Sequence, residues 1–268
     1  MLKFRLFGGG IEARRNKIEK ASSEDTQIHC HDKYEIFYVI EGSGKCIIEG
    51  QEYTVKPRCV FVFLPYAYHS LSLDLDSAFE YVSITFEQKN VVPSVLDILL
   101  RFKMNEEGLA PAVFYGADSV SDQIAAIIDR FEAIADFSED HRNKYMELLL
   151  SELILLLSMP GRVRSDYNEN ELGARVIRYL SENERRDVSL DDLARRFFVS
   201  KYYLCRAFKK HNGISIHGYI TRKRVMHAKQ LIESGETASR AAYLVGFGDY
   251  SAFYRAYVKI VGKSPTSF

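Results

Sequence analysis

A chain of 268 residues has room for two ordinary domains, each with a core of its own. Its 36 basic and 36 acidic side chains cancel overall, but residues 1–168 carry 18 and 26 of them and residues 169–268 carry 18 and 10. A C-terminal segment of net +8 behind one of net −8 points to a nucleic-acid-binding domain joined to a domain of another kind, while four cysteines without CxxC spacing exclude a disulfide scaffold or a zinc finger.

The N-terminus, Met1 to Phe7 followed by three glycines, lacks the apolar stretch and cleavage pattern of a signal peptide. Cys30, Cys46, Cys59 and Cys205 fit a reducing cytoplasm. From about Ile28 to Phe86 short runs rich in Tyr, Phe, Val and Ile alternate with glycine, proline or polar turns. Glu35–Ile40, Lys45–Ile48, Cys59–Phe63 and Tyr81–Phe86 read as strands of an antiparallel barrel or sandwich.

Within this region stands His29-x-His31-x3-Glu35-x6-Gly42, followed by Pro65-Tyr66-Ala67-Tyr68-His69. The first resembles the first motif of the cupin barrel in its spacing. The second keeps the proline and histidine of the other cupin motif but shortens their separation. Three imidazoles and a carboxylate suit a transition metal. The same groups suit hydrogen bonding to an organic ligand in the mouth of a small barrel. The second reading is adopted: His29, His31, Glu35, Tyr38 and His69 form a ligand pocket, with no metal, no cofactor and no catalytic residue. Tyr34, Tyr66 and Tyr68 offer further flat faces to a sugar or aromatic ligand.

Between Ala117 and Met159 two helices are expected. The first shows an apolar stripe at Val120, Ile124, Ile127, Ile128 and Phe131. The second, with Tyr145, Leu148, Leu149, Leu153, Ile154, Leu156 and Leu157, is apolar on more than one face. It needs two surfaces to bury it, the barrel and the same helix of a second subunit, which predicts a two-fold homodimer. Its greasiest stretch, Leu148 to Leu157, is broken by Ser151-Glu152 and is too short to span a bilayer, so no membrane partner is expected. Residues 161–170 are polar, contain glycine and read as a linker.

The remaining segment repeats one device. Ser189 caps a helix with Asp192 three positions on, a variant of the capping box. Ser200 then caps a second helix with Leu204, Ala207 and Phe208 inward and Tyr202, Cys205, Arg206 and Lys209 outward, closing at Asn212-Gly213. Further on, Gly246-Phe247 forms a tight turn, and Asp249 caps a helix with Phe253, Ala256, Tyr257 and Ile260 inward and Ser251 and Arg255 outward. Between the two units, Ser215 to Ser234 keeps helical phase over 20 residues, about 30 Å. That is close to the roughly 34 Å between successive major-groove faces of a duplex.

These residues resemble the AraC/XylS transcriptional regulators over about Leu172 to Phe268. The resemblance rests on Leu190-x-x-Leu193-Ala194, Ser200-x-x-x-Leu204-x-Arg206-x-Phe208-Lys209-Lys210, Gly213, Tyr219, Arg224, Ala228, Gly246-Phe247-x-Asp249-x-Ser251-x-Phe253-x-Arg255 and Gly262-x-Ser264-Pro265. Ala241 and Tyr257-Val258-Lys259 depart from the family's usual residues. The resemblance implies that the helices opening at Ser200 and Asp249 read DNA, and that the barrel ahead of them is a sensor.

Arg206 is the first candidate for a base edge, by a bidentate grip on guanine, with Ser251 and Arg255 in the second unit. Tyr202 reaches a thymine methyl or a phosphate, and Tyr250 the backbone. Cys205 is too short to read much, and Lys201, Lys209, Lys210 and Lys259 serve phosphates. Ser200 is primarily a cap, and Arg224 is expected to pair with a neighbouring carboxylate.

The expected fold class is α+β in two domains. Residues 1–160 form a cupin-like antiparallel β-barrel with two helices, and 171–268 an all-α domain with two helix-turn-helix units joined by a long helix. The expected function is a cytoplasmic, non-enzymatic regulator of transcription. Its expected partners are double-stranded DNA, a small-molecule effector such as a carbohydrate, a second copy of itself and RNA polymerase. The alternatives are a metal-dependent cupin enzyme with a vestigial DNA-binding tail, and a dimeric DNA-binding protein that needs no ligand.

Overall fold

A computed structural model describes residues 2–20, 28–49, 51–74, 77–101, 112–115, 119–158, 172–183, 188–212 and 214–266. The linker expected over 161–170 and the stop at Gly213 lie outside the described residues. The chain divides into two compact units, Met1–Asn168 and Glu169–Phe268.

The first unit contains strands β1 (Leu2–Gly8), β2 (Ile11–Ile18), β3 (Tyr34–Glu41), β4 (Gly44–Ile48), β5 (Gln51–Val55), β6 (Cys59–Phe63), β7 (His69–Leu73), β8 (Phe79–Phe86) and β9 (Ala112–Tyr115). They form a six-stranded sheet in the order β1-β2-β8-β3-β6-β9 and a three-stranded sheet in the order β5-β4-β7. Every pairing is antiparallel. Three helices follow β8: α1 (Pro93–Arg101), α2 (Ser119–Ala133) and α3 (Glu139–Leu157).

The centre of the unit is β3, Tyr-Glu-Ile-Phe-Tyr-Val-Ile-Glu, whose first six residues are all buried. Strand side chains alternate between faces. Tyr34, Ile36 and Tyr38 join a core with Val82, Ile84, Ile127, Phe131, Leu150 and Leu153, the layer of α2 and α3. Phe37 and Val39 join the other core, with Cys46, Ile48, Phe61, Phe63 and Phe79, against the three-stranded sheet. A strand covered on both sides reads as a continuous apolar run. Gly42, at φ +103°, turns β3 towards β4; a Cβ there would lie 2.5 Å from the Phe79 ring and 2.8 Å from the Ala78 carbonyl. Only glycine meets both demands.

Strands β1, β2, β5, β7 and β9 and helix α1 are additions to the sequence expectation. The first two strands carry many charged side chains, and these form ion clusters. The buried Glu12 accepts from Arg14 at 2.7 Å and from Arg5. Hydrogen bonding to Arg14, against the opposing effect of burial, holds the Glu12 carboxyl down to about 2. Glu80 accepts from Lys3 at 2.8 Å and Arg15 at 2.7 Å.

Helix α3 buries Met146, Leu149, Leu150, Leu153, Ile154, Leu156 and Leu157. Tyr145, Leu148 and Leu155, spaced along its other side, stay exposed within the chain. Among the described residues no helix is long and apolar enough to cross a membrane.

The second unit is helical: α4 (Leu172–Glu182), α5 (Leu190–Arg196), α6 (Lys201–Asn212), α7 (Ile216–Glu233), α8 (Ala238–Leu244) and α9 (Tyr250–Val261). Short polar residues start most of these helices. Ser189 accepts from the Asp192 amide at 3.1 Å while the Asp192 carboxylate reaches back, completing the box. Ser200, Ser215 and Thr237 cap α6, α7 and α8 through the third residue on. Asp249 caps α9 through two amides, at 3.2 and 2.8 Å. Each such cap is worth about 1 kcal/mol. Leu193, Leu204, Phe208, Tyr219, Val225, Ala228, Ala241, Ala242, Phe253 and Tyr257 are buried. Tyr257, a departure from the family's usual residue, fills the second helix-turn-helix against Phe253, with ring centroids 5.4 Å apart.

Candidate functional site

Two arrangements carry the chemistry, one in each unit. In the helical unit, α6 buries Leu204 and Phe208 and exposes Lys201, Tyr202, Arg206 and Lys209. Cys205 lies at the margin, half-buried. Tyr203 is exposed as well and widens the aromatic part of this face beyond Tyr202. Lys201 is paired with Asp191 across the turn at 2.6 Å, so it offers DNA a partly neutralised charge. In α9, Phe253 and Tyr257 are buried, while Tyr250, Ser251 and Arg255 are exposed. Both helices therefore separate a packing side from a polar, arginine-bearing side, as the spacing predicts.

The turn before α9 is held from a distance. Gly246 has φ +85°, a backbone region open to glycine. Its carbonyl accepts a hydrogen bond from Arg224 Nη1 of α7 at 3.0 Å. Through this bond Arg224 ties the linking helix to the second turn. The signal for this contact is absent from local sequence, because 22 residues separate the partners. Arg224→Ala is expected to lower the unfolding midpoint of the helical unit by about 4–8 °C, the equivalent of about 1 kcal/mol. A thermal scan with an unchanged midpoint would show that the tie is idle.

In the first unit, His29 pairs with His69 as an isolated antiparallel bridge rather than within a strand, through backbone hydrogen bonds of 3.0 and 2.9 Å. His31 follows just ahead of β3, its carbonyl accepting from the Tyr66 amide at 2.7 Å. Glu35 lies on β3, and His69 opens β7. The ring centroids of His29 and His31 are 4.3 and 5.1 Å from that of His69. Glu35 Oε2 is 2.8 Å from His31 Nε2 and 3.8 Å from His69 Nε2. Ser83, on the neighbouring β8, donates its hydroxyl to Glu35 Oε1. Sequence reading missed Ser83, which only the strand register brings to the site.

The charges follow from these contacts. Burial pushes the Glu35 carboxyl up, but the His31 hydrogen bond, the charges of His31 and His69 and the Ser83 hydroxyl hold it below its ordinary value. Burial pushes His31 down, but its hydrogen bond to Glu35, the Glu35 charge, the Lys33 carbonyl and the Asp32 charge together outweigh this and raise it. Burial pushes His69 down to about 4, opposed only in part by the Glu35 charge.

Tyr38 is not part of this cluster. It stands three residues from Glu35 on the strand, hence on the opposite face, in the core shared with the helices. Tyr34 shares that face, stacked on Phe86 at 5.4 Å. Strand parity thus sets both tyrosines on the face of β3 opposite the histidines, in the core shared with the helices.

A sensor unit of two antiparallel sheets and a unit of paired helix-turn-helices define a DNA-binding regulator with an effector domain. Residues 19–158 match the AraC-like ligand binding domain family and residues 193–268 the helix-turn-helix domain family, and the chain belongs to the AraC family of transcription regulators, which are not enzymes. It is similar to the uncharacterized HTH-type transcriptional regulator YbfI of Bacillus subtilis (strain 168), with 27% identity over 83% of this chain and 79% of that one. It is also similar to the HTH-type transcriptional activator RhaS of Klebsiella pneumoniae (strain 342), with 24% identity over 84% of this chain and 81% of that one. Among solved structures, the AraC-like transcriptional activator CuxR is similar at 12% identity over 90% of this chain and 83% of that one, with a TM-score of 0.44. The helix-turn-helix unit binds DNA, and the AraC-like domain binds an effector ligand.

Proposed function

We propose that the chain is a ligand-responsive activator of transcription that acts in the cytoplasm as a homodimer. Residues 1–160 sense the effector and dimerise, 161–170 link, and 171–268 read DNA. The observation that carries this reading is the two-sidedness of α6 and α9, each with a buried aromatic seam and an exposed arginine. Arg206, Ser251 and Arg255 read base edges; Tyr202 touches a thymine methyl or a phosphate; Lys201, Lys209 and Tyr250 hold phosphates; Ser200 caps, and Cys205 stands at the edge of the contact.

The stripe of Tyr145, Leu148 and Leu155 left exposed on α3 supports the dimer. The effector is a small polar molecule held by His29, His31, Glu35 and His69. A carbohydrate, the class expected from the family resemblance, has hydroxyls that match these donors and acceptors. The effector acts by favouring one arrangement of the DNA-reading halves over another, since a ligand with equal affinity for both shifts nothing. RNA polymerase is the partner that activation engages.

The test begins with selection of bound duplexes from a random pool; recovery of no shared sequence would defeat the reading. On the selected site and on a scrambled duplex, Lys209→Ala is expected to weaken binding by the same factor and to reduce the salt slope by about 1. A loss confined to the selected site would make Lys209 a base reader instead.

A further inference from the structure

The turns of the two helix-turn-helix units are closed by the same bonds. After α5 the Val199 amide donates to the Ala194 carbonyl at 3.1 Å and the Phe198 amide to the Arg195 carbonyl at 3.3 Å. After α8 the Phe247 amide donates to the Ala242 carbonyl and the Gly246 amide to the Tyr243 carbonyl, both at 3.0 Å. This pair of bonds ends a helix on one left-handed residue, for which glycine is the usual choice. The second turn has glycine there, Gly246 at φ +85°, whereas the first has Phe198 at φ +54°. A bulky side chain in that region is strained.

No packing inside the unit offsets the strain, for Phe198 is 94% exposed. Its neighbour Phe197 is held within the unit, edge-on to Tyr179 of α4 at 6.1 Å. In the second turn the aromatic residue stands one position later, and Phe247 packs on Phe253 with ring centroids 5.3 Å apart. One turn therefore keeps its ring and the other projects it. The projecting ring comes two residues before the Ser200 cap and four before the exposed Tyr202, at the N-terminal end of α6. That end of a reading helix is the part that reaches base edges. Thymine is the base with an apolar group in the major groove, its 5-methyl, and a phenylalanine ring is a fitting partner for it.

We propose that Phe198 is a specificity-determining residue of the first DNA-reading unit, its ring packing on the 5-methyl group of a thymine at the edge of the site read by α6. This deepens the reading of α6 as a DNA-contacting helix and rests on it. Arg206 recognises guanine by hydrogen bonds, and Phe198 recognises a methyl by withdrawing it from water, so the two residues select different bases.

The test uses the full chain and the duplex recovered by selection, with each thymine replaced in turn by uracil, which removes the methyl and keeps the hydrogen-bonding edge. For the wild type, one such replacement is expected to weaken binding about fourfold, the effect of exposing one methyl-sized apolar group. Phe198→Gly is expected to weaken binding to the thymine duplex by about the same factor and to be indifferent to uracil at that position. Phe198→Asn, which also tolerates the left-handed region but has no ring, is expected to behave likewise, which separates loss of the ring from loosening of the backbone. Neither variant is expected to lower the unfolding midpoint, because both residues suit this turn better than phenylalanine. A wild type indifferent to every uracil, or variants that keep the wild-type uracil response, would overturn the contact. Full affinity in Phe198→Gly beside a weakened Arg206→Ala would overturn it and leave the DNA-reading role of α6 standing. Loss of transcription in a reconstituted assay without loss of DNA affinity would overturn it too, and assign the ring to a protein partner.

Discussion

Phe208→Ala is expected to remove about 3–5 kcal/mol from the stability of the helical unit, a large share of the about 5–15 kcal/mol that domains possess. Phe208 is fully buried on the inner side of α6 and meets Tyr219 of α7 edge-on at 6.1 Å. One turn on, Asn212 donates to the Phe208 carbonyl at 3.0 Å and to the Gly173 carbonyl of α4 at 3.2 Å, so the ring stands where three helices are tied. Gly173 is itself close-packed, because a Cβ there would lie 2.4 Å from His211 Cβ. Little of the cavity can close by relaxation. At about 4–8 °C per kcal/mol, the transition assigned to this unit in calorimetry falls by about 12–40 °C, or is already complete at room temperature. A loss below about 1 kcal/mol would mean that α6 is not anchored by this ring.

Arg206→Ala, two residues earlier on the same helix, is expected to do the opposite. Its side chain is on the exposed side, so unfolding should change by less than about 0.5 kcal/mol. Affinity for the selected duplex should drop by about 1–3 kcal/mol, or roughly 5–150-fold, with base preference relaxed at one position of the site. Non-specific affinity should change little, since it rests on many phosphates rather than one guanidinium. Competition binding with selected and scrambled duplexes measures both. Equal losses on the two duplexes would demote Arg206 to a phosphate contact. Together the two variants separate what builds the helix from what it presents.

Local chemistry made the helical unit easy to read. Ser189, Ser200 and Asp249 announce helix starts, and Leu204, Phe208, Phe253 and Tyr257 keep a 3.6-residue period, so their burial follows from spacing alone. The sensor unit was legible in its middle strands, where Val, Ile and Phe runs are bounded by turns. It was not legible in β1 and β2, where Lys3 and Arg15 are satisfied by Glu80, more than sixty residues away. The cluster of His29, His31, Glu35 and His69 was found because motif spacing fixes it. Tyr38 was placed at the pocket because composition suggested a pocket wall, and Ser83 and the Arg224–Gly246 contact were missed because they come from strand register and from a contact 22 residues distant.

The two-sided burial of β3 has a mechanical consequence. Glu35 and Ile36 are joined by a single peptide plane, yet one belongs to the effector cluster and the other to the layer beneath α2 and α3. Peptide planes do not stretch, so a rotation or slide of the strand that re-aims the carboxylate must also re-seat Ile36 and Tyr38 under the helices. Chemistry on the inside of this protein is thus never a private affair; the same ribbon delivers its recoil to the outside.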